Sequence, residues 1–277
     1  MKRLYTQNLS VGTANYPIER GQYKYFEIRY SGVAGAGNTI TLANLGNVRL
    51  NWSGDDKVNV PVSALSNMAN LYNGFIEFNS AIGGAFAASI IIPCGEWFDT
   101  NNIYDVADND KANFILDFPA LPALIASGVV QIYGVLQNGL HSYFHKILSQ
   151  NVVAGGAGVL VNNIFAQNIA QLYLTNPAAL ISDIQVSIDG KNFINGDTAS
   201  ELAFSNWIHQ IEATGTFFAF EFCPSKKLET IVSNSLSFQY TFTGAGTQEQ
   251  LYSAIEFTPK KQQTSALGVA NSVLGRK

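Results

Sequence analysis

The sequence predicts an all-β protein made of two tandem copies of one antiparallel sandwich. Short strand-like runs recur along the chain with turn signals about every 8–12 residues, which is typical of sandwiches and not of parallel α/β sheets. The chain also contains an internal repeat, and its 277 residues divide into two units of ordinary domain size. Eight strands in two Greek keys form a jelly roll, so we expect two tandem eight-stranded jelly rolls with short helices in loops.

The internal repeat consists of three blocks that occur in the same order in both halves. The pairs are Val48–Gly54 with Ile184–Gly190, Gly84–Pro93 with Gly215–Pro224, and Tyr143–Leu148 with Leu251–Phe257. In the first pair and in the second pair, the two members lie nearly the same number of residues apart along the chain, and this distance is slightly shorter in the second pair. Repeats of this kind indicate a duplicated structural unit, so both halves should have the same order of strands.

The first half begins with strands that are separated by glycine-rich turns. Alternating aromatic and charged residues predict a strand over Tyr23–Tyr30. The glycines of Gly32–Gly37 indicate a loop, and Asn38–Leu42 is interpreted as the next strand. Because no helix follows this loop, it does not match a nucleotide-binding motif. Trp52–Asp56 is a tight-turn signal, in which glycine supplies a positive φ.

One helical segment and two further strands follow. Apolar residues at 62, 65, 68, 69 and 72 have helical spacing, which predicts a helix over residues 62–72. Its apolar stripe is interpreted as part of the core. Strands are expected over Phe75–Phe78 and Ala85–Ile92, the second of which ends at Pro93.

A predicted hairpin closes the first unit. Val129–Tyr133 and Tyr143–Leu148 flank the turn signal Gln137-Asn138-Gly139, so we expect these two strands to pair. The small, glycine-rich run after them is interpreted as the link between the units. The predicted organisation is an N-terminal jelly roll over 1–152, a linker at about 152–158, a C-terminal jelly roll over 159–277, and a basic tail over 260–277.

The composition favours a protein that works in an assembly. Charged residues make up 13% of the chain, about half the usual share of roughly 25%. Surfaces that contact other protein surfaces are depleted in charge at their centres. The net charge is −4 and no basic stripe is present, so we expect no specific nucleic-acid partner. The sequence has no signal-peptide pattern and no apolar run of membrane-spanning length, which predicts an intracellular product.

No motif predicts an enzyme. His141 and His145 share one face of a predicted strand, but a zinc site would need further ligands, so these residues and His209 are interpreted as surface or interface imidazoles. The Gly-x-Ser-x-Gly motif of hydrolases is absent, and a catalytic carboxylate pair could form only through the fold. Cys94 and Cys223 lack metal or redox spacing and are expected to be buried apolar residues. No cofactor is required by this interpretation.

Two segments carry a resemblance to a known family. Glu27–Val33 followed by Val48–Gly54 resembles strand-opening segments in the double jelly-roll major capsid proteins of tailless icosahedral double-stranded DNA phages with an internal membrane. The corticovirus type, which has a similar length, is the most similar. The resemblance implies a structural major capsid protein located in the virion. It implies homotrimers of pseudo-hexagonal outline that contact neighbouring capsomers, penton or minor capsid proteins and the inner viral membrane.

The resemblance also directs attention to an acidic insertion in the first half. Some members of the family bind calcium, and Asp105, Asp108 and Asp110 are closely spaced in an Asn-rich segment. Calcium prefers six to eight oxygen ligands. These three residues are therefore candidate ligands of a structural calcium ion, and a solvated surface loop is the alternative.

Both ends of the chain are basic. Lys2 and Arg3 begin it and Arg276 and Lys277 end it, and the mildly apolar run Ala266–Leu274 precedes the last two. Basic residues near an anionic bilayer contribute about 1 kcal/mol each. We therefore expect both ends to lie on the inner capsid face, where they contact the viral membrane or a neighbouring subunit.

Two other classes of function remain open from the sequence. A tandem jelly roll with aromatic residues and Asn/Asp-rich loops also suits a carbohydrate-binding protein, either lectin-like or receptor-binding. An enzyme built on the same fold is the third class, because a fold alone does not decide function.

Overall fold

A computed structural model describes residues 1–65, 76–95, 101–107, 110–118, 124–164, 169–175, 180–198, 217–221 and 236–257. The first half contains the strands β1 (Lys2–Asn8), β2 (Gly12–Pro17), β3 (Gly21–Ala34), β4 (Asn47–Trp52), β5 (Asp55–Pro61), β6 (Ile76–Ser80), β7 (Ala85–Pro93), β8 (Tyr104–Val106), β9 (Ala112–Phe118) and β10 (Ile125–Leu136). The second half contains β11 (Tyr143–Ala154), β12 (Gly158–Ile164), β13 (Ile169–Thr175), β14 (Ile181–Ile188), β15 (Lys191–Thr198), β16 (Phe217–Glu221), β17 (Leu236–Phe242) and β18 (Gly246–Phe257).

The two halves repeat one strand order. In the first half, β1-β10-β3-β7 and β2-β9-β4-β5 are the two facing sets of strands. In the second half, the order is β11-β18-β13-β16 and β12-β17-β14-β15. Each set matches its counterpart strand for strand, and β6 and β8 have no counterpart among the described residues of the second half. The predicted pair of eight-stranded jelly rolls is therefore confirmed.

The first block of the sequence repeat marks a hairpin turn that both halves share. Ser53 and Gly54 join β4 to β5, with φ angles of 53° and 94°. Asp189 and Gly190 join β14 to β15, with φ angles of 48° and 77°. Two successive positive φ angles define the turn that suits the twist of paired strands. For the second block, β7 and β16 occupy the same position in their sheets, so these two strands are equivalent, and residues 215–216 and 222–224 lie outside the described residues.

The third block and the predicted hairpin are wrong. Tyr143 pairs with Phe257 across the β11–β18 ladder, so the two runs of this block are partners and not equivalents. β10 pairs with β1 and β3, and does not pair with β11. Strand β11 therefore begins the second jelly roll. Residues 155–157 form the turn between β11 and β12, and the connection between the jelly rolls lies at residues 137–142 instead of the expected 152–158.

The strand expected over Asn38–Leu42 is also absent from the described chain, since Leu42–Leu45 forms a 3₁₀ helix. The backbone N–H and the hydroxyl of Thr41 both donate to the side-chain oxygen of Asn44, each at 2.8 Å. This local bonding replaces ladder bonds. The buried side chains of Ile40 and Leu45 anchor the segment to the core. Residues 62–65 are helical as predicted, and the rest of that predicted helix lies outside the described residues.

Alternation of inward and outward side chains builds two cores. In β9, buried and half-buried residues alternate through the whole strand, as the period of two requires. The larger cluster lies in the first jelly roll and the smaller one in the second. Phe144, Ile147 and Leu251, all from second-half strands, belong to the larger cluster. The second jelly roll therefore completes the core of the first.

A short parallel pairing joins the jelly rolls. Ile147 and Leu148 of β11 pair with Val58 and Asn59 of β5, which makes one continuous eight-stranded sheet, β16-β13-β18-β11-β5-β4-β9-β2. Because β5 and β11 run in the same direction, equivalent ends of the two jelly rolls lie on the same side of the molecule. We call this pairing the joint.

We expect Gly32→Ala to destabilise the first jelly roll. A Cβ at Gly32 would lie 2.2 Å from the carbonyl oxygen of Ser127 and 2.7 Å from the Cα of Gly128, and backbone atoms cannot move aside as a side chain can. Overpacking of this kind costs about 1–3 kcal/mol. Gly155→Ala is the matched control, since no atom lies within 4 Å of its Cβ position. Thermal unfolding of both variants measures the difference, and an unchanged Tm for Gly32→Ala would contradict the close approach of β3 and β10.

Candidate functional site: the joint and the two ends

Four alternating charges surround the joint. Lys57 of β5 contacts Asp55 at 2.7 Å and Glu256 of β18 at 2.6 Å. Lys146 of β11 contacts the same two carboxylates, at 2.9 Å and 3.0 Å. Each carboxylate therefore bridges two lysines, and three strands from both jelly rolls supply the group. We call these four residues the charge cluster.

Lys57 is the buried member of the charge cluster. Its side chain is 4% exposed, although alternation along β5 directs it away from the core of its own jelly roll. The second jelly roll covers it, and its ammonium lies 4.4 Å from the centre of the Phe144 ring. A buried ammonium is stable only when it is paired, and here it has two carboxylates and an aromatic face.

The carboxylates of the charge cluster are held in their ionised form. Partial burial acts to raise the pKa of Asp55, but the hydrogen bonds from Lys57 and Lys146 together outweigh it and lower the pKa below its usual value. The same balance lowers the pKa of Glu256. For Lys146, burial acts to lower the pKa, and the bonds to the two carboxylates raise it overall. Asp55, Glu256 and Lys146 are therefore ionised near neutral pH.

An aromatic group packs next to the charge cluster, around the same Phe144 ring that lies against Lys57. The ring of Phe144 lies 5.0 Å from Trp52, 5.3 Å from Tyr104 and 4.6 Å from His141, measured between ring centres. Such tilted and edge-to-face arrangements are the favoured geometry for aromatic pairs. His141 also accepts a hydrogen bond at Nδ1 from the backbone N–H of Asp105, at 3.0 Å. The histidine thus fixes the connection between the jelly rolls, which agrees with its interpretation as an interface residue.

Asn102 connects residues 137–142, the segment between the jelly rolls, to the first jelly roll through a hydrogen bond from the Ser142 N–H and one from its amide to the Tyr143 carbonyl that follows. Its side-chain oxygen accepts from the backbone N–H of Ser142 at 3.0 Å, and its amide donates to the carbonyl of Tyr143 at 3.1 Å. The amide also donates to the carbonyl of Cys94. Asn102 is 2% exposed, so these bonds replace contacts with water. Burial raises the pKa of the Cys94 thiol, which confirms this cysteine as a buried, unreactive residue.

His145 is buried within the joint as well. It is 3% exposed, and its carbonyl accepts a hydrogen bond at 2.8 Å from the hydroxyl of Tyr104, a residue of the acidic insertion. The structure therefore does not place this imidazole at the surface, and its role at an interface between chains stays a prediction. His209 and Cys223 lie outside the described residues.

The two ends of the molecule differ in charge. The described connections 9–11, 35–46, 81–84, 155–157 and 243–245 all lie at one end, and they contain no Asp, Glu, Lys, Arg or His. The connections at the opposite end carry Glu19, Arg20, Asp110, Lys111 and Asp189. We call these the uncharged end and the charged end.

Apolar side chains are exposed at the uncharged end. Ile82 is 77% exposed, Val11 is 53% exposed, and Val153 and Val159 are 62% and 61% exposed. Both jelly rolls contribute, because the joint places their equivalent loops on the same side. Exposed apolar side chains grouped with uncharged loops favour protein–protein contact.

The candidate calcium ligands are only partly described. Asp105 lies on β8 with an exposed side chain, and the carboxylate of Asp110 accepts from the backbone N–H of Ala107 at 2.9 Å, within its own turn. Asp108 lies outside the described residues. Among the described residues, no group of three His, Cys, Asp or Glu side chains is placed to hold a metal. The calcium site stays a prediction.

The basic residues at the start of the chain lie at the charged end. Lys2 forms an ion pair with Glu19, and it pairs along β1 with Gly134 of β10. Arg3 is exposed beside it. Arg276 and Lys277 lie outside the described residues, as does the predicted tail over 260–277. No helix in the described part of the chain is long and apolar enough to cross a membrane.

Sequence reasoning misses Lys57 and Asn102. Lys57 occupies an outward position on a strand, where a lysine is ordinarily solvated, and only the second jelly roll buries it. Asn102 lies in a segment rich in Asn and Asp, where nothing in the pattern distinguishes it from surface residues. The Trp52-Ser53-Gly54 turn signal, the Tyr143–Leu148 strand and His141 are the sequence features that mark this region.

Comparison with known proteins identifies the fold. No protein-family model and no curated protein sequence matches the chain. Among solved structures, the chain is similar to the major capsid protein of bacteriophage PM2, with a TM-score of 0.67 and 12% identity over 94% of this chain and 98% of that chain. It is similar to the PBCV-1 virus capsid, with a TM-score of 0.65 and 7% identity over 91% and 93% of the two chains.

A third match has the same character. The Faustovirus major capsid protein aligns with a TM-score of 0.54 and 6% identity over 91% of this chain and 90% of that chain. At these identities the likeness shows the fold and not the function. The predicted double jelly roll and its structural resemblance to viral major capsid proteins are confirmed, and both jelly rolls are included in the match.

Proposed function

We propose that the protein is a structural major capsid protein that forms pseudo-hexagonal homotrimers in an icosahedral virion shell. The observation that carries the proposal is the joint, which makes two jelly rolls into one continuous body with their equivalent ends on one side. A capsid subunit of this kind needs its two jelly rolls held in a fixed relative orientation. The match over 98% of the PM2 capsid protein supports the same role.

The arrangement of charges supports a structural role in preference to catalysis. The described residues with shifted pKa values around the joint are bound to each other, as in the charge cluster, and their chemistry is used for packing. The uncharged end adds exposed apolar side chains that suit contact with other proteins. No described feature favours carbohydrate binding, so the capsid proposal stands without a second candidate.

The orientation in the shell follows from the two ends. The charged end, with Lys2 and Arg3, faces the inner viral membrane, together with Arg276 and Lys277 of the tail. The uncharged end then faces outward. Neighbouring capsomers and penton or minor capsid proteins are the further partners, and the protein is made in the host cytoplasm. A calcium ion bound by Asp105, Asp108 and Asp110 would stabilise the charged end of the first jelly roll.

The proposal predicts a stable trimer. Light scattering of the purified chain should give a mass near three times the chain mass of 30.0 kDa, independent of concentration. Stable interfaces bury well over about 1,000 Å² in total, so dissociation on modest dilution is not expected. A monomer at all concentrations would contradict the capsid proposal.

The charge cluster predicts a pH-dependent stability. The pKa of Glu256 is lowered in the folded protein, so its stabilisation is present above the unfolded pKa of about 4.3 and is lost as the pH falls through the folded value. Glu256→Gln should lower the free energy of unfolding at pH 7 by less than about 1 kcal/mol, because the carboxylate is 43% exposed and screened by water.

This difference should shrink as the pH is lowered from 7, and it should disappear at an acidic pH below the folded pKa of Glu256, where both proteins carry a neutral side chain. Urea unfolding at the two pH values measures it. Glu77→Gln, at an exposed position away from the joint, is the control and should show no such dependence. A difference of equal size at both pH values would show that Glu256 acts through packing and not through its charge.

Membrane contact predicts salt-sensitive lipid binding. Intact trimers should float with anionic vesicles, the bound fraction should fall as salt screens the basic residues, and removal of residues 262–277 should abolish flotation. Neutral vesicles are the control. Equal flotation with and without the tail would show that the tail is not a lipid anchor.

A further inference from the structure

The strand β12 is the least protected edge of the described sheets. It ends the four-stranded sheet β12-β17-β14-β15, so one side of its backbone has no neighbouring strand in the described chain. Edge strands present unpaired backbone groups that readily accept another strand. Proteins protect such edges with charged side chains, prolines, irregular pairing or short length, and the end strands of the three sheets can be compared for these features.

Each of the other five end strands carries at least one protective feature. The pairing of β1 and of β15 is irregular, and β6 and β16 are only five residues long. The charged residues and prolines are Lys2 and Arg3 in β1, Pro17 in β2, Glu77 in β6, Lys191 and Asp197 in β15, and Glu221 in β16. By contrast, β12 has seven residues without charge or proline, and all seven pair with β17 without an irregularity. By these criteria β12 is open to pairing with a further strand.

The outward face of β12 carries exposed apolar side chains. Val159 and Val161 are 61% and 54% exposed, and Asn163 is exposed after them on the same face. Both valines belong to Val152–Val161, a run of ten consecutive residues without a polar side chain. A continuous group of this kind favours contact with another protein.

The strand is held in place by its own jelly roll and is accessible at its tip. The side chain of Asn162 donates to Gln250 at 3.0 Å and accepts from Gln150 at 3.2 Å, which ties the inward face of β12 to β18 and β11. A Cβ at Gly155 or Gly158 would meet no atom within 4 Å, so the β11–β12 hairpin stands clear of the rest of the described chain. A partner strand would therefore meet an edge that is already ordered.

We propose that β12 of one chain pairs with β12 of a second chain, antiparallel and around a two-fold axis, where neighbouring trimers meet in the shell. The inference rests on the proposed capsid function and identifies the partner of this edge as a second copy of the chain. Such a contact is isologous, because both chains contribute the same patch. An icosahedral shell contains two-fold axes at which this contact forms.

A second copy of β12 fits this edge in both charge and side chains. Complete overlap of two antiparallel strands of seven residues places Val161 opposite Val161 of the second chain, and Val159 opposite its Asn163. Val159 then lies diagonally across from Val161 of the second chain, within the range at which cross-strand side chains interact. Four valines form an apolar group on the axis, and no like charges are brought together.

The size of the contact limits it to the assembled shell. Seven residues from each chain are far fewer than the roughly 20–30 residues per side of a stable interface. The pairing therefore does not hold two trimers together in dilute solution, which agrees with the trimeric mass expected there. In a shell, each trimer contributes three copies of β12, and linked contacts reinforce one another.

The variant Val161→Cys tests the pairing, because a disulfide traps even a weak contact. Facing residues of antiparallel strands have Cα atoms about 4.5–5.5 Å apart, within the range for a disulfide. Mild oxidation at high protein concentration should give covalent dimers on a non-reducing gel, and light scattering of the same sample should rise above the trimeric mass. Wild type, which contains Cys94 and Cys223, sets the background.

The matched control is Val159→Cys, which changes the same residue type on the same face at a similar exposure. In the proposed pairing, Val159 lies four residues along the strand from its own copy, about 13 Å away and too far for a disulfide. This variant should not cross-link above background. A trimeric mass before oxidation without dimers from Val161→Cys, or equal cross-linking of both variants, would overturn the edge pairing and leave the capsid function intact. A monomeric mass before oxidation would instead contradict the proposed function itself.

Discussion

The rest of the structure depends on the parallel pairing of β5 with β11. Only two residue pairs form this ladder, and such a short contact does not hold two domains in place without further support. The ion pairs of the charge cluster, the aromatic contacts around Phe144 and the hydrogen bonds of Asn102 supply that support. The direction of the pairing has a consequence for the whole molecule, because it places equivalent loops of the two jelly rolls at one end.

The joint also changes what each half can bury. Outward-facing residues of a sandwich normally meet water, yet Lys57 and Ile147 are both covered where the halves meet. The first core therefore extends into the second half of the chain through Phe144 and Leu251. We infer that the halves fold as one cooperative unit, with the second jelly roll completing the first. The duplicated unit has thus become asymmetric, with β5 and β11 paired within the chain and their counterparts β15 and β1 the last strands of their sheets among the described residues.

Much of this fold could be predicted from local signals. The Trp52–Asp56 and Ile188–Lys191 turns are encoded by residues that tolerate positive φ, and alternation encodes the strand faces. The wrong prediction of a hairpin at Asn138-Gly139 shows the limit of what local sequence signals can predict. That dipeptide favours a hairpin, but β11 pairs with the distant strand β18 along its whole length, from Tyr143 with Phe257 to Ala154 with Gly246. The burial of Lys57 could not be predicted for the same reason, since it depends on contact between strands distant in sequence.

Imaging of the purified chain by electron microscopy tests the central claim most directly. If the joint sets the geometry of the capsid trimer, class averages should show three-fold particles with six lobes of similar size, two from each chain. The lobes should be evenly spaced, because contacts within and between chains would be alike. Separate two-lobed particles, or trimers whose two jelly rolls vary in their relative orientation, would contradict the account.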